Sequence, residues 1–291
     1  MQKRKIDLFT IICYIVTAFV ICFIGSIVFI IIFRGGVELA EHLQDKETLF
    51  ATWMSVKSAL ISSILCFGVA IPTGYVLTHL PIPFRSGIEV ILELTMTLPY
   101  IVIGLSLLII FSTPAGKMLK AAGVPFVFHQ NGIILAQLAV NLPSAIKLTV
   151  MAFQGVNRKL EAVAGLLGAS RFQQFRTIIL PLCKNTMISS FILIWSRALG
   201  EFGATLMLVG VTRMKTETLP GNIYLNVSTN QIDGALASAF LLLILAALSL
   251  FISHCVTRTD WRQQRYERKI WCGYKKTIIG GSEIKSDKGK L

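Results

Sequence analysis

The stretch Glu161-Ala162-Val163-Ala164-Gly165-Leu166-Leu167-Gly168-Ala169-Ser170-Arg171-Phe172, running on to Ile179-Leu180-Pro181, decides how this chain is read. It is amphipathic and partly basic, and it lies between two apolar runs that are each long enough to cross a bilayer. A few residues suffice to join neighbouring helices. Here about 25 residues of helical character make the connection, on the side where positive charge collects. Such a segment reads as a docking surface, so the question becomes what the chain is coupled to rather than what it catalyses.

Composition supports a membrane setting. Of 291 residues, 54% are hydrophobic and only 15% charged, against about 25% charged in soluble domains. The net charge of +13 falls between and beyond the apolar runs. It therefore reads as the positive-inside bias of a membrane protein, not as a nucleic-acid-binding face. Cys13, Cys22, Cys66, Cys183, Cys255 and Cys272 form no CxxC pair and no metal-ligand spacing. They behave as small hydrophobes.

The first apolar run, Leu8 to Phe33, follows Lys3-Arg4-Lys5. It is longer than the 7–15 residues or so of a signal-peptide core, and at about 39 Å it exceeds the bilayer hydrocarbon. It reads as an uncleaved anchor. Five more runs follow, Val56–Leu77, Ile88–Phe111, Ile133–Val156, Met187–Val209 and Ala235–Val256. Six crossings place both termini on one side. Nineteen Lys and Arg lie on that face, with the Glu161 segment. Arg34, Lys46, Lys57, Lys117, Lys120, Arg213 and Lys215 lie on the other. The bias assigns both termini and the Glu161 segment to the cytoplasm. Residues 1–256 are thus expected to form the transmembrane domain. Residues 257–291 form a basic cytoplasmic tail that lies on the anionic leaflet or on a partner, with a disordered Gly/Lys/Ser-rich end.

Pro72, Pro99 and Pro143 are expected to interrupt their spans. Broken helices survive in lipid only where protein or a cavity satisfies the freed backbone, so the kinks serve either helix packing or a pathway; three of them in the four central spans favour a pathway. Arg197 and Glu201 are four apart on the fifth span and so share a helix face, which reads as a structural pair within or between helices ahead of contact with a substrate. Lys147 either faces a cavity or snorkels. Glu89 and Glu93 sit in the first turns of the third span and favour its N-terminus. His42, His79, His129 and His254 show no partner spacing, and no nucleophile elbow, H-E-x-x-H or G-x-x-x-x-G-K-[ST] phosphate loop occurs. An ATP-driven process would need another polypeptide to bind the nucleotide.

Following the fourth of six spans, Gly168-Ala169-Ser170, Phe175, Ile178 and Leu180-Pro181 closely resemble a cytoplasmic loop of integral-membrane ABC importer subunits. In that family Glu-Ala-Ala, a glycine and then Ile-x-Leu-Pro form a coupling helix that seats in a groove of the ATPase. Glu161 lies one position further from Gly168 than the family pattern has it, and Ala162 holds the register position. Further on, Arg197-Ala198-Leu199-Gly200-Glu201-Phe202-Gly203-Ala204-Thr205-Leu206-Met207 resembles the fifth-span signature of permeases for molybdate, tungstate and sulfate. Thr216-Glu217-Thr218-Leu219-Pro220 with Ile223-Tyr224, and Ala136-Gln137 with Pro143, fit the same group. The first of these leans toward its molybdate/tungstate branch.

The resemblance implies an all-α membrane protein of the type I ABC importer permease fold, with six transmembrane helices and both termini cytoplasmic. A coupling helix over about residues 158–172 would present Glu161, Ala162, Ala164, Gly165, Gly168, Ala169 and Arg171 to the ATPase. The implied partners are a second copy of the chain, two ATP-binding subunits and an extracytoplasmic oxyanion-binding protein docked on the outer loops Arg34–Met54, Ser112–Gly132 and Val211–Gly234. ATP and Mg²⁺ would sit on the ATPase, leaving this chain without a cofactor or metal. Pro99, Asn141, Pro143, Ser144, Glu201, Gly203 and Thr205 are the pathway candidates, offering weak contacts rather than a tight oxyanion site. A self-contained secondary transporter would need several acidic residues at mid-membrane, where only Glu201 lies. A membrane enzyme would need a catalytic cluster that the chain lacks.

Overall fold

The computed structural model describes residues 8–42 and 45–256; the basic tail from Thr257 and Lys3-Arg4-Lys5 lie outside the described residues. Among the described residues every regular element is helical. The chain runs through α1 (Leu8–His42), α2 (Lys46–His79), α3 (Arg85–Thr97), α4 (Tyr100–Ser112), α5 (Pro114–Ala121), α6 (Gln130–Gln154) and α7 (Arg158–Leu166). Then α8 (Arg171–Gln174), a π-turn over Phe175–Ile179 and α9 (Leu180–Leu199) make one continuous rod. The chain continues through α10 (Gly203–Val209), α11 (Leu219–Ser228) and α12 (Ile232–Val256). Five of these, α1, α2, α6, the α8–α9 rod and α12, are long and apolar enough to cross a membrane. The pair α3 and α4, bent by 108°, passes the same test of length and apolarity when taken together, for up to six spans in all.

Lipid explains this choice of elements: with no water to satisfy backbone N–H and C=O groups, a spanning segment must bond to itself. Helices α2, α6 and α9 form the centre. Cys66, Phe67 and Ala70 of α2 meet Ala145, Ile146 and Phe153 of α6 and Cys183, Met187 and Ile194 of α9. Small residues let the backbones approach. A Cβ on Gly74 would lie 2.7 Å from the Thr149 methyl. Gln137 stitches the same three helices, donating from Nε2 to Ser58 Oγ at 3.2 Å and to the Ala198 carbonyl at 3.0 Å. Helix α1 lies outside this centre and meets α12 at Gly35, where a Cβ would come 2.7 Å from the Leu236 carbonyl oxygen.

Several expected boundaries change. The loop expected over Arg34–Met54 is mostly helix, since α1 continues to His42 and α2 begins at Lys46. Good helix formers such as Glu38, Glu41 and Glu47 extend the helical ladder beyond the apolar run. The other two segments expected as outer loops contain α5 and α11. Pro72 and Pro143 do not interrupt their spans: α2 and α6 run through both. Close packing of the two helices on each other and on α9 holds the axis where a proline alone would favour a break.

Pro99 does break its span. Leu98, the residue before it, is extended with ψ 139, as a following proline requires. The fifth span also differs from Met187–Val209. Its rod begins at Arg171, ends at Leu199, and resumes as α10 after Gly200-Glu201-Phe202. The two breaks lie against each other. A Cβ on Gly203 would stand 3.2 Å from Tyr100 Cβ, and one on Gly104 would stand 2.6 Å from Ala204 Cα.

Candidate functional site

The corner between the fourth and fifth spanning elements is built by local rules. Asn157 caps α7, its side-chain oxygen accepting from Lys159 N at 3.0 Å. The helix stops at Gly168, whose φ of +86 is the left-handed conformation that glycine takes without a Cβ penalty. Ala169 N bonds to the Ala164 carbonyl and Gly168 N to that of Gly165, each at 3.0 Å. This is the Schellman closure of a helix end. Ser170 immediately starts α8 with a reciprocal capping box to Gln173. Gly168-Ala169-Ser170 is therefore a stop, a turn and a start. The continuous coupling helix expected over 158–172 is instead α7 plus a corner.

The next turn widens to a π-turn. Leu180 N reaches back to the Phe175 carbonyl, and Pro181, which has no N–H, follows at the start of α9.

The corner is clamped to α2. Glu161 is 13% exposed in its side chain and lies 3.1 Å from His79 Nε2. Arg158, one turn earlier on the same face, donates from Nη2 to the Thr78 carbonyl at 2.7 Å. His79 stacks on Tyr75, and Phe175 meets both Tyr75 and Phe153 edge-on. The opposite face of the corner is open and apolar. Leu166 and Leu167 are 88% and 83% exposed, with Leu160, Val163 and Phe172 beside them. Ala162, Gly165, Gly168 and Arg171 are exposed, while Ala164 and Ala169 are half-buried. Glu161 thus faces inward to its own bundle, and leucines stand on the open face.

The pathway candidates cluster at the two helix breaks. Pro99 ends the gap before α4 and Gly203 opens α10, packed on Tyr100 and Ile101. Glu201 does not pair with Arg197, because the helix ends at Leu199 and no longer carries the two residues on one face. Instead Glu201, 3% exposed, caps α10. Its carboxylate accepts from Ala204 N at 2.7 Å, from Thr205 N at 3.3 Å and from the Thr205 hydroxyl. A carboxylate is well placed there, since the first amides of a helix lack intrahelical partners and the dipole favours negative charge. Arg197 turns the other way, donating to Ser144 Oγ and Tyr100 Oη, both at 3.1 Å.

Asn141 and Pro143 are buried inside α6, and Asn141 Nδ2 bonds back to the Gln137 carbonyl. Lys147 pairs with Glu93 at 2.8 Å, joining α6 to α3. Glu89 pairs with Arg85 at 2.9 Å. Neither acid stands in the first turn of α3, because the helix begins earlier than the apolar run.

No local pattern points to the contacts of His79, Thr78, Arg158 or Tyr100. Their partners are 82, 80 and 97 positions away, and no local spacing encodes such contacts. At the end of the bundle opposite α7, Arg213 bonds Glu47, Asn226 and Gln231. A mixed-charge cavity of about 720 Å³ opens there.

Comparison with known proteins places this architecture. Residues 70–262 match the family described as the binding-protein-dependent transport system inner membrane component. A probable molybdenum ABC transporter permease of Haloferax volcanii is 32% identical over 238 residues, 82% of this chain and 85% of the relative. The molybdenum transport system permease of Escherichia coli K12 is 31% identical over 71% of this chain and 93% of its own length. The sulfate transport system permease of the same strain is 27% identical over 88% of both.

Among solved structures, a bacterial alginate ABC transporter chain superposes with TM-score 0.64 at 17% identity, covering 87% of this chain and 98% of that one. A chain of an inward-facing methionine ABC transporter gives 0.57 at 15%, covering 73% and 95%. At these identities the structures establish the fold. Together with the family match over two breaks, the corner and the central helices, this means that the chain belongs to the inner-membrane components of binding-protein-dependent transport systems, the permease subunits of ABC importers, in which ATP hydrolysis resides on a separate subunit.

Proposed function

We propose that this permease forms the path for a tetrahedral oxyanion, molybdate or tungstate ahead of sulfate, as one of two identical membrane subunits. Two ATP-binding subunits hold ATP and Mg²⁺, and an extracytoplasmic binding protein delivers the anion. Both termini and α7 face the cytoplasm, and the mixed-charge cavity beside Arg213 lies on the side of the binding protein. Relatives named for molybdenum transport, at 31–32% identity, support the substrate class. The sulfate permease at 27% supports sulfate as the second reading.

The observation that carries the coupling role is the corner itself. An apolar surface of Leu160, Val163, Leu166, Leu167 and Phe172 stands on a helix whose other face is bonded to α2. A soluble partner with an apolar groove covers such a surface. When the ATP-binding subunits close, the corner moves with them. The clamp passes that movement to α2 and, through α2, to the packed centre of α6 and α9.

Labelled molybdate uptake into proteoliposomes holding the complete transporter, competed with tungstate and sulfate, tests the reading. Saturable, ATP-dependent uptake displaced by tungstate before sulfate supports it. Uptake that prefers sulfate moves the assignment to the second reading, and no oxyanion uptake refutes both.

A further inference from the structure

We infer that Arg197 is an anion-contacting station of the permeation path, a cation held open at the paired helix breaks for a tetrahedral dianion in transit. The inference rests on the oxyanion reading above and adds to it a residue, a level in the membrane and a mode of contact.

Arg197 lies in the last turn of α9, within a rod that spans the membrane. Its partners are two hydroxyls, Ser144 Oγ on α6 and Tyr100 Oη on α4, both neutral. Among the described residues, none of the ion pairs includes Arg197. The acid four positions away, Glu201, is buried and committed to the amides of Ala204 and Thr205. A guanidinium without a counter-charge is costly inside a membrane, and such residues face cavities and mark ion or substrate paths. Here the charge is also positioned. Three elements converge on it, two hydroxyls fix its plane, and most of its N–H donors remain free. The side chains of Arg197 and Tyr100 are exposed on this chain.

The chemistry selects the ligand class. A planar fork of N–H donors matches a pair of oxygens on a tetrahedral oxyanion. One cation supported only by neutral groups lowers the cost of a dianion in a low-dielectric path without binding it tightly enough to oppose release. Asn141 and Thr205, the amide and hydroxyl expected at this level, are buried, and their donors point into the protein, Asn141 Nδ2 to the Gln137 carbonyl and the Thr205 hydroxyl to Glu201. They leave the contact to Arg197.

The test uses the complete transporter in proteoliposomes with labelled molybdate. Arg197→Gln lowers uptake about tenfold, while the melting temperature of the solubilised complex stays equal or rises, because the removed charge had no carboxylate partner. Arg197→Lys keeps the charge without the planar fork and falls in between. Tyr100→Phe and Ser144→Ala, each releasing one hold on the guanidinium, lower uptake about threefold. Uptake by R197Q within twofold of wild type overturns the inference. So does a drop in melting temperature with normal uptake per folded complex, which marks a structural residue or a pairing across two copies. A wild-type complex that imports no oxyanion overturns the import reading and this one together. Import by the wild type and equally by R197Q overturns this one alone.

Discussion

Glu161 on α7 and His79 at the end of α2 meet carboxylate to imidazole at 3.1 Å, and with Arg158 on the Thr78 carbonyl they join the α7–α8 corner to the bundle. The acid of the corner thus works inside the chain. Breaking the link by His79→Ala or Glu161→Ala is expected to cost about 1–3 kcal/mol of stability, the range for a buried polar group left without its partner. The anion transported per ATP hydrolysed should fall severalfold. Paired uptake and phosphate-release assays on one preparation check this, and an unchanged ratio would refute the strut.

Gly168 holds φ +86 with open space around its Cα, so substitution there strains the backbone without a clash. Gly168→Ala should cost about 1–2 kcal/mol, and Gly168→Asn less, because asparagine tolerates the left-handed region. Retention of the ATPase through purification should follow the order Gly, Asn, Ala, Val. Equal retention by Gly and Val would show that the corner geometry is unimportant.

The opposite case is Gly104. An added Cβ would stand 2.6 Å from Ala204 Cα and from its carbonyl oxygen, so steric overlap governs. Gly104→Ala should push α4 from α10 and cost about 1–3 kcal/mol, read as a lower melting temperature and reduced uptake. Gly25, with nothing within 4 Å, supplies the control: Gly25→Ala should leave both unchanged.

Glu201 closes the start of α10. Glu201→Ala leaves the buried amides of Ala204 and Thr205 without their acceptor and should cost about 1–3 kcal/mol. Glu201→Gln keeps one carbonyl acceptor and should recover part of the loss. If Glu201 were instead paired with Arg197, R197Q would destabilise as much as E201A. Thermal unfolding of the two variants side by side decides.

The apolar rows of the sequence determined the number of spans, because a backbone in lipid has no alternative to bonding itself. Gly168-Ala169-Ser170 was read as part of one helix over about 158–172, and the structure makes it an end and a restart, although capping uses neighbours in sequence. Proline within a span brought Pro99 to attention, the search for hydroxyl and amide donors brought Ser144, and the fifth-span signature contains Glu201 and Gly203. Which way their side chains turn was legible in no local pattern. Spacing put Arg197 and Glu201 on one face, but the helix stops at Leu199, and they serve different elements. Proline at 72, 99 and 143 looked alike, yet only Pro99 breaks its helix. The helices around the other two run unbroken and pack closely with α9, whereas α3 has no buried residue to hold it. Helix ends and spans follow from near neighbours and solvent. The clamp at His79 and the open charge at Arg197 arise from contacts across tens of residues, which only the packed bundle creates.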